Sequence, residues 1–127
     1  MPISDYLEAA VLNHVLRGVT YTPPAAWYVA LYTSNPTDAD TGTEVSGGGY
    51  ARQSVTFAAP AGGAVQNTAD IVFPTATAAW GTITHVGIRD AVTGGNLLFY
   101  GSLSTPKTIG VGDTFKLPVG RLVCRLD

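Results

Sequence analysis

The stretch WGTITHVGIRDAVTGGNLLFYGSL, residues 80–103, decides the fold class. Residues 80–90 alternate, with Trp80, Val86 and Ile88 on one face and Ile83, His85 and Arg89 on the other. A period of two is the signature of a strand. The loop Ala91–Asn96 carries two glycines, and a second apolar run, Leu97 to Leu103, follows it. The pair reads as an antiparallel hairpin.

Working outward, Trp27 to Thr33 sets Trp27, Val29 and Leu31 against Tyr28, Ala30 and Tyr32. Both faces are apolar, as in a central strand. Tyr50 to Ala58 alternates Ala51, Val55 and Phe57 with polar positions, and Ala69 to Phe73 is a short strand. Beyond the hairpin, Thr108–Ile109 and Thr114–Leu117 each suggest a strand, and Arg121 to Leu126 closes the chain with Leu122, Cys124 and Leu126 facing inward. Tyr21–Pro24, Pro60–Gly63, Gly112-Asp113 and Pro118-Val119-Gly120 punctuate these runs.

Only the start of the chain has helical spacing. Leu7, Val11, Leu12, Val15 and Leu16 form one apolar stripe over residues 4–17. Ser4 or Asp5 can cap it, and Gly18 suits its end. Asp5 and Glu8 in the first turn and Arg17 in the last favour the helix dipole. A helix of about fourteen residues is marginal alone and must pack on something. The continuous stripe favours plugging one end of the β structure; docking into another subunit is the alternative. The expected fold is therefore mainly β: an antiparallel β-sandwich or small barrel of seven to eight strands with one N-terminal α-helix, in a single domain over 1–127.

Composition narrows function. The chain has 127 residues, 46% hydrophobic and 13% charged, with a formal net charge of −2. That is too apolar and charge-poor for disorder and wrong for a coiled coil. It gives no electrostatic basis for nucleic-acid binding. No apolar run reaches the ~18 residues of a membrane span, and no signal peptide is evident at the start. Sparse charge, with only Lys107 and Lys116 as lysines, suits a surface that is buried against partners.

Catalytic chemistry is thinly represented. His14 lies on the helix and His85 in mid-strand, away from the strand-end loops that usually present catalytic groups. Gly47-Gly48-Gly49 precedes a strand, so it cannot aim a helix dipole at a phosphate. Asp38, Asp40 and Glu44 share one loop and are the calcium candidates, but Gly42 falls where the EF-hand pattern needs a ligand, and a solvated acidic loop is the plainer reading. Cys124 reads as a core thiol. Trp27 and Trp80 read as core, and Tyr50, directly after the glycine run, as the best exposed aromatic. No enzyme activity, metal or cofactor is expected.

The segments ISDYLEAAVLNHVLRGV (3–19), GTEVSGGGYARQ (42–53) and FPTATAAWGTITHVGI (73–88) resemble a family of small tailed-phage virion proteins, commonly labelled tail fibre protein. The resemblance covers nearly the whole chain and brings no catalytic motif. It implies a structural component of a virion, assembled in the bacterial host cytoplasm. A fibre shaft needs repeats, and none is present. We therefore expect a capsid-surface decoration (cement) protein, partnered by the major capsid protein and by copies of itself. The alternative is a tail or tail-fibre component that contacts tail proteins or host-surface carbohydrate. The 34–50 loop, which looks mobile, supplies the expected contact residues: Asp38, Asp40, Glu44, Gly47, Gly48, Gly49 and Tyr50. The first few residues and exposed strand edges complete that surface.

Overall fold

Ser4 starts the regular structure. In the computed structural model, which describes residues 1–126, its hydroxyl accepts from the Leu7 N–H at 3.2 Å and donates to the Leu97 carbonyl. It thus caps helix α1 (Asp5–Arg17) and ties it to the sheet. Gly18 ends the helix at φ +69°, where a side chain would be strained, and its N–H bonds the Asn13 carbonyl.

Eight strands follow among the described residues: β1 (Trp27–Tyr32), β2 (Gln53–Val55), β3 (Ala64–Gln66), β4 (Ile71–Val72), β5 (Gly81–Arg89), β6 (Leu97–Ile109), β7 (Lys116–Leu117) and β8 (Val123–Arg125). Every pairing is antiparallel. Strands β2, β1, β5 and β6 form a four-stranded sheet in that order. Strand β1 is central, as its two apolar faces require. The ribbons β3–β8 and β4–β7 complete the molecule, and the sheets do not close into a barrel.

The main core lies between the large sheet and the ribbons. Val29, Leu31, Ile83, Val86 and Ile88 meet Phe73, Phe115, Leu122 and Cys124 there, and Leu7 joins from the helix. Phe73 and Phe115 meet edge to face at 5.7 Å. On the other face of the sheet, Ala30, Tyr32 and Leu97 form a smaller cluster.

Several boundaries differ from the sequence reading. Ile83 does not share a face with His85; it is fully buried in the main core with Val86. The register slips between them, so residues 103–106 of β6 stand against Thr84 alone. A bulge of this kind breaks the period of two that the sequence implied. Pro106, which lacks an N–H, sits within it. Thr108–Ile109 is then the end of β6, not a new strand. Strand β2 keeps only three residues, because Tyr50 and Arg52 are drawn into the adjoining loop. Strand β3 escaped the sequence reading; it is too short to alternate, and its pairing with β8 defines it. Leu122 and Cys124 are buried, but Leu126 is exposed beyond the end of β8.

The helix brings the largest correction. Its stripe is two stripes. Leu7 is buried, and Ala10 and Val11 pack on the core, whereas Leu12, Val15 and Leu16 stand 56, 68 and 74% exposed. At 100° per residue Leu12 and Leu16 project about 140° and 180° from Leu7, with Val15 beside Val11 at the border between the two sides.

Candidate assembly surface

The 34–50 loop holds all seven contact residues expected from the sequence, and the structure ties it down. Asp40 faces the Arg89 guanidinium, with both carboxylate oxygens at 2.8 Å. Arg89 also donates to the Tyr32 hydroxyl and to the Gly94 and Gly95 carbonyls. Burial alone would push the Arg89 pKa down, but the bonds to Asp40 and Tyr32 outweigh it and the guanidinium is held above its ordinary range. Glu44 takes a second fork, from Arg52 Nε and Nη2 at 2.8 and 2.7 Å. Burial pushes Glu44 up, yet the hydrogen bonds from Arg52 and Tyr50 win and its pKa lies below the usual carboxylate value. Asp38 accepts from the Tyr100 hydroxyl, whose pKa is pushed up to about 12 chiefly by that bond. The Asp38 carbonyl accepts the Asp5 N–H, joining the loop to the helix start.

Tyr50 is not an exposed ring. Its hydroxyl donates to Glu44 at 2.6 Å and accepts the Leu31 N–H at 3.0 Å. Its ring stacks on Phe73 and meets Trp80 edge-on at 5.5 Å. Gly48 lies over Trp80, whose indole N–H donates to the Gly48 carbonyl at 2.9 Å. A Cβ on Gly48 would come within 2.9 Å of that indole nitrogen, so the close approach requires glycine. Gly49 packs beside Thr77, while Gly47 at φ +74° borders open space.

The loop is therefore a laced flap and not a mobile acidic arm. Nor do its carboxylates converge as calcium ligands: Asp40 and Glu44 each engage a different arginine. A separate group, Asp5, Glu8 and Asp38, brings carboxylate oxygens within 4.8 Å of one another at the helix start. The histidines take structural partners. His14 Nδ1 accepts the Tyr21 N–H at 3.2 Å, and His85 Nδ1 lies 2.8 Å from the Thr84 hydroxyl. Burial drives the Cys124 thiol up to about 12, which keeps it protonated and unreactive.

Trp80 is buried as expected, but Trp27 is only half-buried. With Tyr21, Pro24, Phe57 and Phe99 it lines an apolar cleft of about 220 Å³ between the helix and the sheet. A larger open groove of about 610 Å³ runs along the outer part of β6. Leu103, Leu117 and Leu122 lie in it, with Lys107, Lys116 and Arg121 at its lining. The sequence reading singled out neither of these surfaces. The groove did leave a signal, since four of the seven cationic side chains fall after residue 106.

The surface presents an apolar helix face, a cleft and a cationic groove. A model of the family described as Podophage GP4 fiber I protein gp80 matches residues 2–125. The chain belongs to that family. It is a fibre-related structural protein of a phage virion. No curated protein matches the chain. No helix is long and apolar enough to cross a membrane among the described residues.

Proposed function

We propose that this chain is a non-catalytic module of the phage tail-fibre apparatus, a node that holds neighbouring tail proteins and copies of itself. The family match over residues 2–125 carries the reading. The fold is in keeping with it. Both cationic groups buried against the flap, Arg52 and Arg89, are consumed in structural pairs, and Leu12, Val15 and Leu16 leave part of the exposed apolar surface on a rigid helix. Such a node joins parts; without repeats it is not itself a shaft.

A second reading, capsid-surface decoration bound to the major capsid protein, is favoured by the small globular form and by the sparse charge of 13%. Many copies holding a shell would act through avidity. Copy number separates the two. Quantitative mass spectrometry of purified virions, scaled to the major capsid protein, is expected to give a few to a few dozen copies. Hundreds of copies, in a simple ratio to the capsid subunit, would replace the fibre reading with decoration.

A further inference from the structure

We propose that the exposed face of α1 docks into the cationic groove beside β6 of a second copy of this chain, so that copies join head to tail. The inference rests on the structural reading above and names the partner within it.

The helix face has the form of a docking element. Leu12, Val15 and Leu16 recur at the spacing of one helical stripe, Val19 follows just beyond the Gly18 cap, and all four are exposed. Single exposed apolar residues are ordinary; a contiguous stripe on a rigid helix is not. The helix start carries the Asp5 and Glu8 carboxylates, and Asp38 of the flap lies beside them. None of the three makes an ion pair among the described residues.

The groove has the opposite character. Lys107 and Arg121 stand at it without an ion pair among the described residues, and Lys116 meets only the exposed Asp70 at 3.2 Å. No carboxylate lines it among the described residues, although the chain as a whole is acidic. Leu103, Leu117 and Leu122 give it an apolar base. An amphipathic helix with an acidic start is what such a groove complements.

One copy cannot satisfy both surfaces. The helix start is fixed to β6 by Ser4, whose N–H and hydroxyl donate to the Leu98 and Leu97 carbonyls. Lys107 faces Ile83 of β5, six residues along that strand from the Arg89 that Leu97 faces, roughly 20 Å away at the rise of a β-strand. The near end of the groove begins at Gly101, but its Lys107 end and the exposed helix stripe are held apart by the strand, so their union is between copies. Because the surfaces differ, the contact is heterologous, and it propagates or closes into a ring.

The test uses the whole chain in sedimentation velocity. Two variants are made, Lys107→Glu with Arg121→Glu in the groove, and Leu12→Gln with Leu16→Gln on the helix. All four positions are solvent-facing, and unchanged thermal unfolding shows that the variants are folded. We expect the native chain to form a concentration-dependent series of oligomers that weakens at about 0.5 M salt, where screening shortens to a few ångströms. Each variant alone is expected to associate about tenfold or more weakly. Mixed together, they still hold one intact helix face and one intact groove, so they form a heterodimer and nothing larger. If the groove variant dimerises as well as the native chain while the helix variant does not, the helix pairs with itself and the proposal fails. It fails equally if the native chain stays monomeric, and most clearly if its groove then retains polygalacturonate through Lys107 and Arg121, since that would make the groove a site for an anionic polymer. Neither failure touches the virion copy number, which tests the fibre reading separately.

Discussion

The 34–50 flap and helix α1 exchange the roles that their compositions suggest. The flap is polar, glycine-rich and acidic, yet it is held by two forked arginine–carboxylate pairs and by an indole hydrogen bond. The helix is the most apolar periodic segment of the chain, yet half of its apolar side chains face outward. A polar segment is mobile only if its polar atoms prefer water. Here Arg89 and Arg52, supplied by strand β5 and the β2 approach, give the flap better partners than water does. An apolar stripe is buried only as far as there is something to bury it against, and one sheet edge covers one side of a helix.

The comparison is broken most forcefully at Arg89. It is 7% exposed and joins Asp40, Tyr32 and the Gly94–Gly95 turn. Arg89→Ala leaves the Tyr32 hydroxyl, itself almost wholly buried, without that donor. Removing one partner of a buried pair costs about 3–5 kcal/mol, and the partly exposed Asp40 places the loss near the lower end. Urea unfolding should record it as a lower midpoint, with the flap more open to limited proteolysis. Arg89→Lys should recover little, because an ammonium group cannot fork to a carboxylate. A midpoint unchanged by Arg89→Ala would mean that the flap is held by its backbone alone.

Glu44 sharpens the same side of the comparison through pH. Its folded pKa lies below the ordinary 4.5 because Arg52 and Tyr50 bond the charged form. The sign follows from linkage. The stabilisation is complete above the unfolded value and is lost as pH falls through the folded one. Glu44→Gln should therefore lower stability by about 1–2 kcal/mol near neutrality. The gap between variant and native chain should close as the pH is taken below 4.5 in a series of unfolding curves. A gap that stays constant with pH would assign the effect to packing and not to charge.

How much of this was legible follows the same physics. The central strand, the hairpin of β5 and β6, the helix and its Ser4 and Gly18 ends were all readable, because each depends on local pattern and local chemistry. The bulge at Ile83–His85 was not, since it is set by the register with β6. The seven flap residues were recognised as a group, but their partners Arg89, Trp80 and Tyr100 lie 32 to 62 residues away in sequence. Residue type alone does not show which distant side chain will meet a carboxylate. The two helix stripes were present in the spacing; reading Leu7 through Leu16 as one stripe averaged them together.

The smallest expected effect tests the helix side. Leu16 is 74% exposed, so its replacement forfeits little burial. Glutamine has nearly the helix propensity of leucine, so Leu16→Gln leaves the backbone preference alone. Surface changes of this kind usually move stability by no more than about 0.5 kcal/mol. The thermal midpoint of the dilute chain should therefore stay where it is. A clear destabilisation of the dilute, monomeric chain would show that Leu16 is covered within one molecule, and that the helix has a single broad buried face after all. An unchanged midpoint keeps the contrast intact: the flap spends its polar atoms within the chain, and the helix leaves half of its apolar ones uncovered by it.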